Sequence, residues 1–255
     1  MNSFSVFIGY AGWSIRKEYA DRFPSQGTHL ERYAQCLNAV EIDSSFHRPH
    51  RPATYARWAA AVPQDFRFAV KIPQEITHER RLVNAIEPLE RFLAEAQALG
   101  EKLGPLLIQL PPGLPFHLPI AEAFLQALRQ RFSGDAVCEP RHPSWFGEEV
   151  AQLLRAHQIA RVAADPAITP QAARPGGWMG LAYYRLHGSP QTYVSAYSDQ
   201  QLEAMARVLA HSLLSRPTWC IFDNTATGAA TANALHLTEL MQLGCATQYP
   251  PQTEG

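Results

Sequence analysis

The strongest constraint on this chain is an alternation of eight short strand-like runs with stretches of helical apolar spacing. The runs are Ser5–Tyr10, Ala39–Asp43, Phe66–Ile72, Gly104–Leu110, Ala136–Glu139, Ala160–Asp165, Leu181–His187 and Trp219–Phe222. Between them, Leu30, Tyr33, Ala34 and Leu37 share one helical face, and Leu89, Phe92, Leu93, Ala96 and Leu99 form one stripe. Ile120, Phe124, Leu128 and Phe132 recur every four residues, and Ser198 stands three before Gln201, the spacing of a capping box. Further helices are predicted over Pro52–Ala61, Glu148–His157 and Gly228–Leu243. Strands that alternate with helices pair in parallel through crossovers, and eight such units predict a closed (β/α)₈ barrel of the TIM type. The segment Pro166–Gly180, rich in Pro, Gly and Ala, has no helical pattern, so one helix is irregular or missing there. A doubly wound open sheet is the alternative. The absence of G-x-G-x-x-G or a P-loop after the first run argues against it.

At 255 residues and 46% hydrophobic, the chain has the size of one α/β barrel. Residues 1–247 are expected to form that domain, with 248–255 (QYPPQTEG) as a flexible tail. A formal net charge of −1 offers no overall attraction to a polyanion. Cys36, Cys138, Cys220 and Cys245 are far apart with no C-x-x-C, which suggests free thiols and a reducing compartment. No charged leader or bilayer-length apolar run is present, so a cytoplasmic, membrane-free protein is expected, with a monomer as the default state.

The chemistry-bearing residues sit at the ends of the strand-like runs: Glu41, Lys71, Gln109, Glu139 with Arg141 and His142, Asp165, Arg185 with His187, and Asp223 with Asn224. In a barrel all of these reach one mouth, whatever their separation in sequence. A buried parallel strand should be apolar, and each buried ion loses several kcal/mol of hydration, about, so stability alone is a poor reason for so many. Glu41 and Glu139 are the expected acid and base. Lys71 can neutralise them, bind an anion or act as an amine, and His187 can relay a proton. Arg141 and Arg185 suit a carboxylate or phosphate; the plainer alternative is that each pairs with Glu41 or Glu139. His142, Gln109, Gly188, Asp223 and Asn224 complete the expected ligand-binding set. Gly188 lies in HGSP, where backbone N–H groups could approach an anion, although an N-cap at Thr225 or Thr227 and relief of crowding at Gly228 are the favoured explanation of the neighbouring DNTATG.

Two readings follow. One is an enzyme of hydrolase, lyase or isomerase type, using acid–base chemistry on a small anionic or sugar-like substrate and needing no cofactor. The other is a nucleic-acid-binding or repair-type phosphodiester hydrolase barrel, with arginines on phosphates and Trp13, Tyr19, Phe46 or Trp145 stacking on bases. A non-catalytic ligand-binding module is a lesser third. A divalent metal is a minor alternative: His142 and His187 lack ligand spacing, and Lys71 with two arginines would repel a dication.

Six ordered motifs, VEIDSSF, FAVKIP followed by ITH, KLGPLLIQLPP, EPRHPSW, YYRLHG and IFDNTATGAATANA, make the chain resemble the YecE-like family, domain of unknown function 72. The resemblance runs from about Ile8 to Leu243 and implies a TIM-type barrel. It implies functional positions at Glu41, Lys71, Gln109, Glu139, Arg141, His142, Arg185, His187 and Asn224, and it names no reaction. Asp223 stands where many relatives carry asparagine, so its membership of the site stays open.

Overall fold

The computed structural model describes residues 5–246, with side chains through residue 242; the expected tail at 248–255 lies outside the described residues. The strands are β1 (Val6–Tyr10), β2 (Ala39–Ile42), β3 (Arg67–Lys71), β4 (Leu103–Gln109), β5 (Ala136–Glu139), β6 (Ile159–Arg161), β7 (Ala163–Asp165), β8 (Gly176–Gly177), β9 (Ala182–Leu186) and β10 (Thr218–Phe222). The helices are α1 (His29–Tyr33), α2 (Ser44–His47), α3 (Pro52–Ala60), α4 (Ile86–Ala96), α5 (Leu118–Arg131), α6 (Glu148–Ala156), α7 (Asp199–Ser212) and α8 (Ala229–Ala246). All but the short α2 fall where helical spacing was read. The Ser198–Gln201 capping box forms as expected, and a second one at Thr28 and Glu31 starts α1.

One expectation is corrected. The ladders form two sheets, β1-β10-β9-β7 and β2-β3-β4-β5-β6-β8, rather than one closed ring of eight strands. Every pairing is parallel except β6 with β8. The sixth run breaks at Val162: β6 pairs with β5, whereas β7 pairs with β9. The segment without a helix supplies β8, whose glycines run antiparallel to Ala160 and Arg161.

At the other seam, side chains replace the ladder between β1 and β2. The Tyr10 N–H donates to the Tyr33 hydroxyl (3.0 Å), which donates in turn to the Ala39 carbonyl (2.7 Å). The Asn38 amide accepts from the Ile8 N–H (2.9 Å) and donates to the Val6 carbonyl (2.7 Å). Gly9 makes this possible, since a Cβ there would lie 1.9 Å from the Ala39 oxygen. Main-chain pairing resumes at Ala11 and Glu41, where the Gly12 N–H donates to the Glu41 carbonyl (2.9 Å). Tyr33→Phe should therefore strand a buried N–H and a buried carbonyl, and lower stability by about 1–3 kcal/mol in urea unfolding. A loss below about 0.5 kcal/mol would mean the hydroxyl does not join the sheets.

Alternation along the strands separates two cores. The larger lies between sheet and helices and includes Ile8, Val40, Phe68, Leu106, Leu89, Phe124 and Leu128. The smaller is lined by Ala39, Ala69, Leu107, Val137, Ala160, Val162, Leu181, Tyr183, Trp219 and Ile221, drawn from strands of both sheets. Cys138 and Cys220 are buried with their thiol pKa values pushed up by burial, as small hydrophobes behave.

Candidate functional site

The inner core explains where the polar residues go. Two residues on from an inward position lies another inward position one layer higher. Ala39 is thus followed by Glu41, Ala69 by Lys71, Leu107 by Gln109, Val137 by Glu139, Tyr183 by Arg185 and then His187, and Ile221 by Asp223. All seven of these polar residues are buried. They form an ionisable layer above an apolar plug, at the carboxyl ends of the strands.

Arg185 is its hub and is fully buried. Its Nε and Nη2 donate to Glu41 Oε1 (2.9 and 2.6 Å), and its Nη1 donates to Glu139 Oε2 (3.0 Å). Nη2 also reaches Asp43 Oδ2 (3.3 Å) and Asp223 Oδ2 (3.1 Å). Four carboxyl groups therefore surround one guanidinium. The Tyr183 hydroxyl donates to Glu41 Oε2 (2.7 Å). Glu139 Oε1 accepts from Arg141 Nη2 (3.0 Å) and from His187 Nε2 (2.8 Å), while His187 Nδ1 faces Asp223 Oδ2 at 3.0 Å.

With a carboxylate at each ring nitrogen, His187 is best satisfied as the doubly protonated imidazolium. Burial works against that charge, but Glu139 and Asp223 outweigh it and raise the His187 pKa. Its 3.2 Å approach to Arg141 Nη2 is then a contact of two cations bridged by Glu139, rather than a hydrogen bond. Burial also pushes the Glu139 pKa up, yet Arg185, His187 and Arg141 together hold it well below the usual carboxylate range. Glu41 goes the opposite way. Burial, aided by the neighbouring Asp43 charge, outweighs Arg185 and pushes it up to about 7.

Arg141 and Asp43 reach solvent and form the rim, with the Lys71 ammonium buried beside them. The Arg141 side chain is 22% exposed and its Nη1 donates to the Tyr193 hydroxyl (3.1 Å). Lys71 Nζ sits 3.5 Å from Asp43 Oδ2 and 4.4 Å from the centre of the Phe46 ring. His78 packs edge-on against Phe46, and burial together with Lys71 and Arg141 lowers its pKa.

Arg185 stays within the layer, where its pairing with Glu41 and Glu139 is the plainer alternative read for it. Several expected members lie elsewhere. The His142 ring caps the short helical turn at Pro143–Phe146, accepting from the Ser144 N–H. The Gly188 N–H is taken by the Tyr197 hydroxyl (2.9 Å), and the Asn224 amide donates to the Ser195 carbonyl (2.9 Å) and to Asn233 (3.0 Å). Both residues thus tie down the 188–197 loop through their donors, while the Asn224 side-chain oxygen is buried without a partner. Asp165 points away from the layer and accepts from Tyr197 (2.6 Å). Trp145 is buried with its indole N–H on the Leu114 carbonyl, which removes it as a stacking surface. Asp223 does join the layer. Asp43 and Tyr183, absent from the expected set, share the inward parity of Glu41 and Arg185; Tyr193 comes from a loop, where no periodicity marks it.

Among the described residues no group of three or more His, Cys, Asp or Glu side chains has metal-binding geometry, and no helix is long and apolar enough to cross a membrane. Two surface hollows, of about 450 and 340 Å³, lie beside α7 and beside the Arg80–Val83 turn. None of the ionisable layer lines either. The chemistry of the layer, rather than either of these hollows, marks it.

The sequence profile described as "Protein of unknown function DUF72" matches residues 7–254, nearly the whole chain. The chain belongs to this family. The UPF0759 protein YecE of Escherichia coli K12 is 33% identical over 176 residues, covering 67% of this chain and 62% of YecE. The match thus spans less than two thirds of that relative's length. The UPF0759 protein YunF of Bacillus subtilis is 25% identical and is matched over 98% of this chain and 99% of its own. A DUF72 family protein from Thermotoga maritima superposes with a TM-score of 0.75 at 25% identity, covering 93% of this chain and 99% of that one. Another from Enterococcus faecalis gives 0.78 at 22% identity, with 93% and 96% coverage. These likenesses agree with the α/β fold of parallel sheets, and the names of these DUF72 members carry no reaction.

Proposed function

We propose that this DUF72 protein is an α/β enzyme whose mouth, at the carboxyl ends of its strands, works on a small anionic or sugar-like substrate by acid–base chemistry. The observation that carries this reading is the meeting of Glu41 and Glu139, from separate strands, on one buried guanidinium. Both carboxyl groups touch the guanidinium of Arg185, yet one is driven up to about 7 and the other held ionised. Two carboxyls with separated protonation states are the working parts of acid–base catalysis near neutral pH. A fold seeking stability alone gains little from so many desolvated charges. Lys71 and Arg141 would hold an anionic or hydroxyl group of the ligand, while Glu139 and Tyr193 fix the orientation of Arg141.

Lys71→Met tests the reading at the rim. Glucose 6-phosphate and glucose are titrated calorimetrically into both proteins, beside short DNA followed by fluorescence anisotropy. The wild type is expected to bind one of the sugars, and loss of the Lys71 contact should weaken binding about tenfold or more, the worth of a hydrogen bond to a charged group. Binding of neither sugar, with DNA binding that falls steeply as salt is added, would replace this reading with the nucleic-acid one.

A further inference from the structure

Glu41 has no exposed surface, so a proton it holds cannot reach a ligand directly. Its surroundings identify an outlet. Arg185 Nη2 contacts both Glu41 Oε1 and Asp43 Oδ2, which brings the two carboxyl groups together on one nitrogen. Asp43 Oδ1 is buried and has no hydrogen-bond donor within reach. Leaving a buried carboxylate oxygen without a donor is costly. A proton on Glu41 would supply that donor. The rest of the Asp43 side chain reaches solvent, being 29% exposed, and its Oδ2 meets Lys71 Nζ at the rim.

We propose that Glu41 and Asp43 share one proton, and that Asp43 is the catalytic residue which exchanges it with the ligand at the mouth. The proposal rests on the mouth being the reaction site. The proton leaves the Glu41 carboxyl for Asp43 Oδ1, and rotation of the Asp43 carboxyl about Cβ–Cγ, a soft two-fold torsion, presents it outward. Glu41 is left as a carboxylate stabilised by the Tyr183 hydroxyl and by Arg185; the reverse sequence accepts a proton from the ligand. The charged and titratable groups facing the pair are Arg185, Tyr183 and Lys71, with Glu139, Asp223 and His187 beyond Arg185. The like charge of Asp43 adds to burial in keeping Glu41 protonated into the neutral range.

Infrared difference spectroscopy on the intact protein between pH 5 and pH 9 reads this without any substrate. The wild type should show a protonated-carboxyl stretch that disappears through neutrality. Glu41→Gln should abolish it, and Asp43→Asn should move its midpoint to lower pH, since the like charge is gone. Absence of the band in folded wild type, or an unmoved midpoint in Asp43→Asn, overturns the shared proton whatever the sugar titrations give. Conversely, the band can be present while no sugar binds, and then the proposed function and the exchange with a ligand fall together while the proton-sharing pair remains. With a turned-over substrate in hand, Asp43→Asn should lower kcat at least a hundredfold and remove one limb of its pH profile. A change confined to KM would assign Asp43 to binding alone.

Discussion

Replacing Arg185 with methionine is expected to destabilise the protein by about 3–5 kcal/mol, the range found when one partner is removed from a buried ion pair. Few single changes should do more here. Arg185 is fully buried and touches Glu41, Asp43, Glu139 and Asp223. Methionine fills much of the same volume, so the loss is electrostatic and not a cavity. The freed carboxyl groups would have Lys71, Arg141 and His187 as remaining cations, of which Arg141 sits at the rim and Lys71 beside it. For a domain of this size the change corresponds to a fall in Tm of about 6–20 °C. Lysine should rescue little, because a single ammonium cannot span the directions the guanidinium fork occupies. The deficit should shrink toward pH 4, where the stranded carboxyl groups take up protons. Urea unfolding of wild type, Arg185→Met and Arg185→Lys at pH 4 and pH 7 measures all of this. A methionine variant within about 1 kcal/mol of wild type at pH 7 would show that the layer is not organised around this residue.

What could be read from the amino-acid order follows from periodicity. Strands and helices announce themselves by periods of about 2 and 3.6, so β1 to β5, β9, β10 and seven helices fall close to their expected places. The split into two sheets had no such signal. It depends on Tyr33 and Asn38, one at the end of α1 and one in the following turn, whose side chains stand in for ladder bonds across the seam. The site divides along the same line. Glu41, Lys71, Gln109, Glu139, Arg185 and His187 occupy strand positions or follow in register, and alternation sends them all inward. Counting two from Glu41 would have found Asp43. Tyr183 is hidden because a tyrosine in a strand is ordinary core material. His142, Gly188 and Asn224 lie in loops, where side-chain direction is set by local hydrogen bonds, and strand parity says nothing about them.

The same layer should give the protein an acid-shifted stability optimum, near pH 5. Glu41, raised to about 7 in the folded chain by burial and by Asp43, contributes stability that is fully present below its ordinary value near 4.5 and is lost as pH rises through 7. At 1.36 kcal/mol for each tenfold change in proton affinity, that loss is about 3 kcal/mol. His187 is also raised, by Glu139 and Asp223 against burial. Its contribution is present below about 6.5 and lost as pH climbs through its folded value. Glu139 has the opposite sign: its pKa is depressed by Arg185, His187 and Arg141, so its contribution is present above the ordinary carboxylate range and lost as pH falls below it. Together they bracket the optimum from both sides. His50, His78 and His157, whose pKa values burial lowers, favour the fold as pH rises. They are only half-buried, so water weakens their effect. Comparison with Glu41→Gln separates the two, since glutamine keeps the shape and removes the titration. Urea unfolding at pH 5, 6, 7 and 8 should show wild type losing stability toward pH 8 relative to the variant, by about 3 kcal/mol. Parallel curves for the two proteins would mean that Glu41 is ionised throughout, held so by Arg185, and that the acid half of the proposed chemistry lies elsewhere.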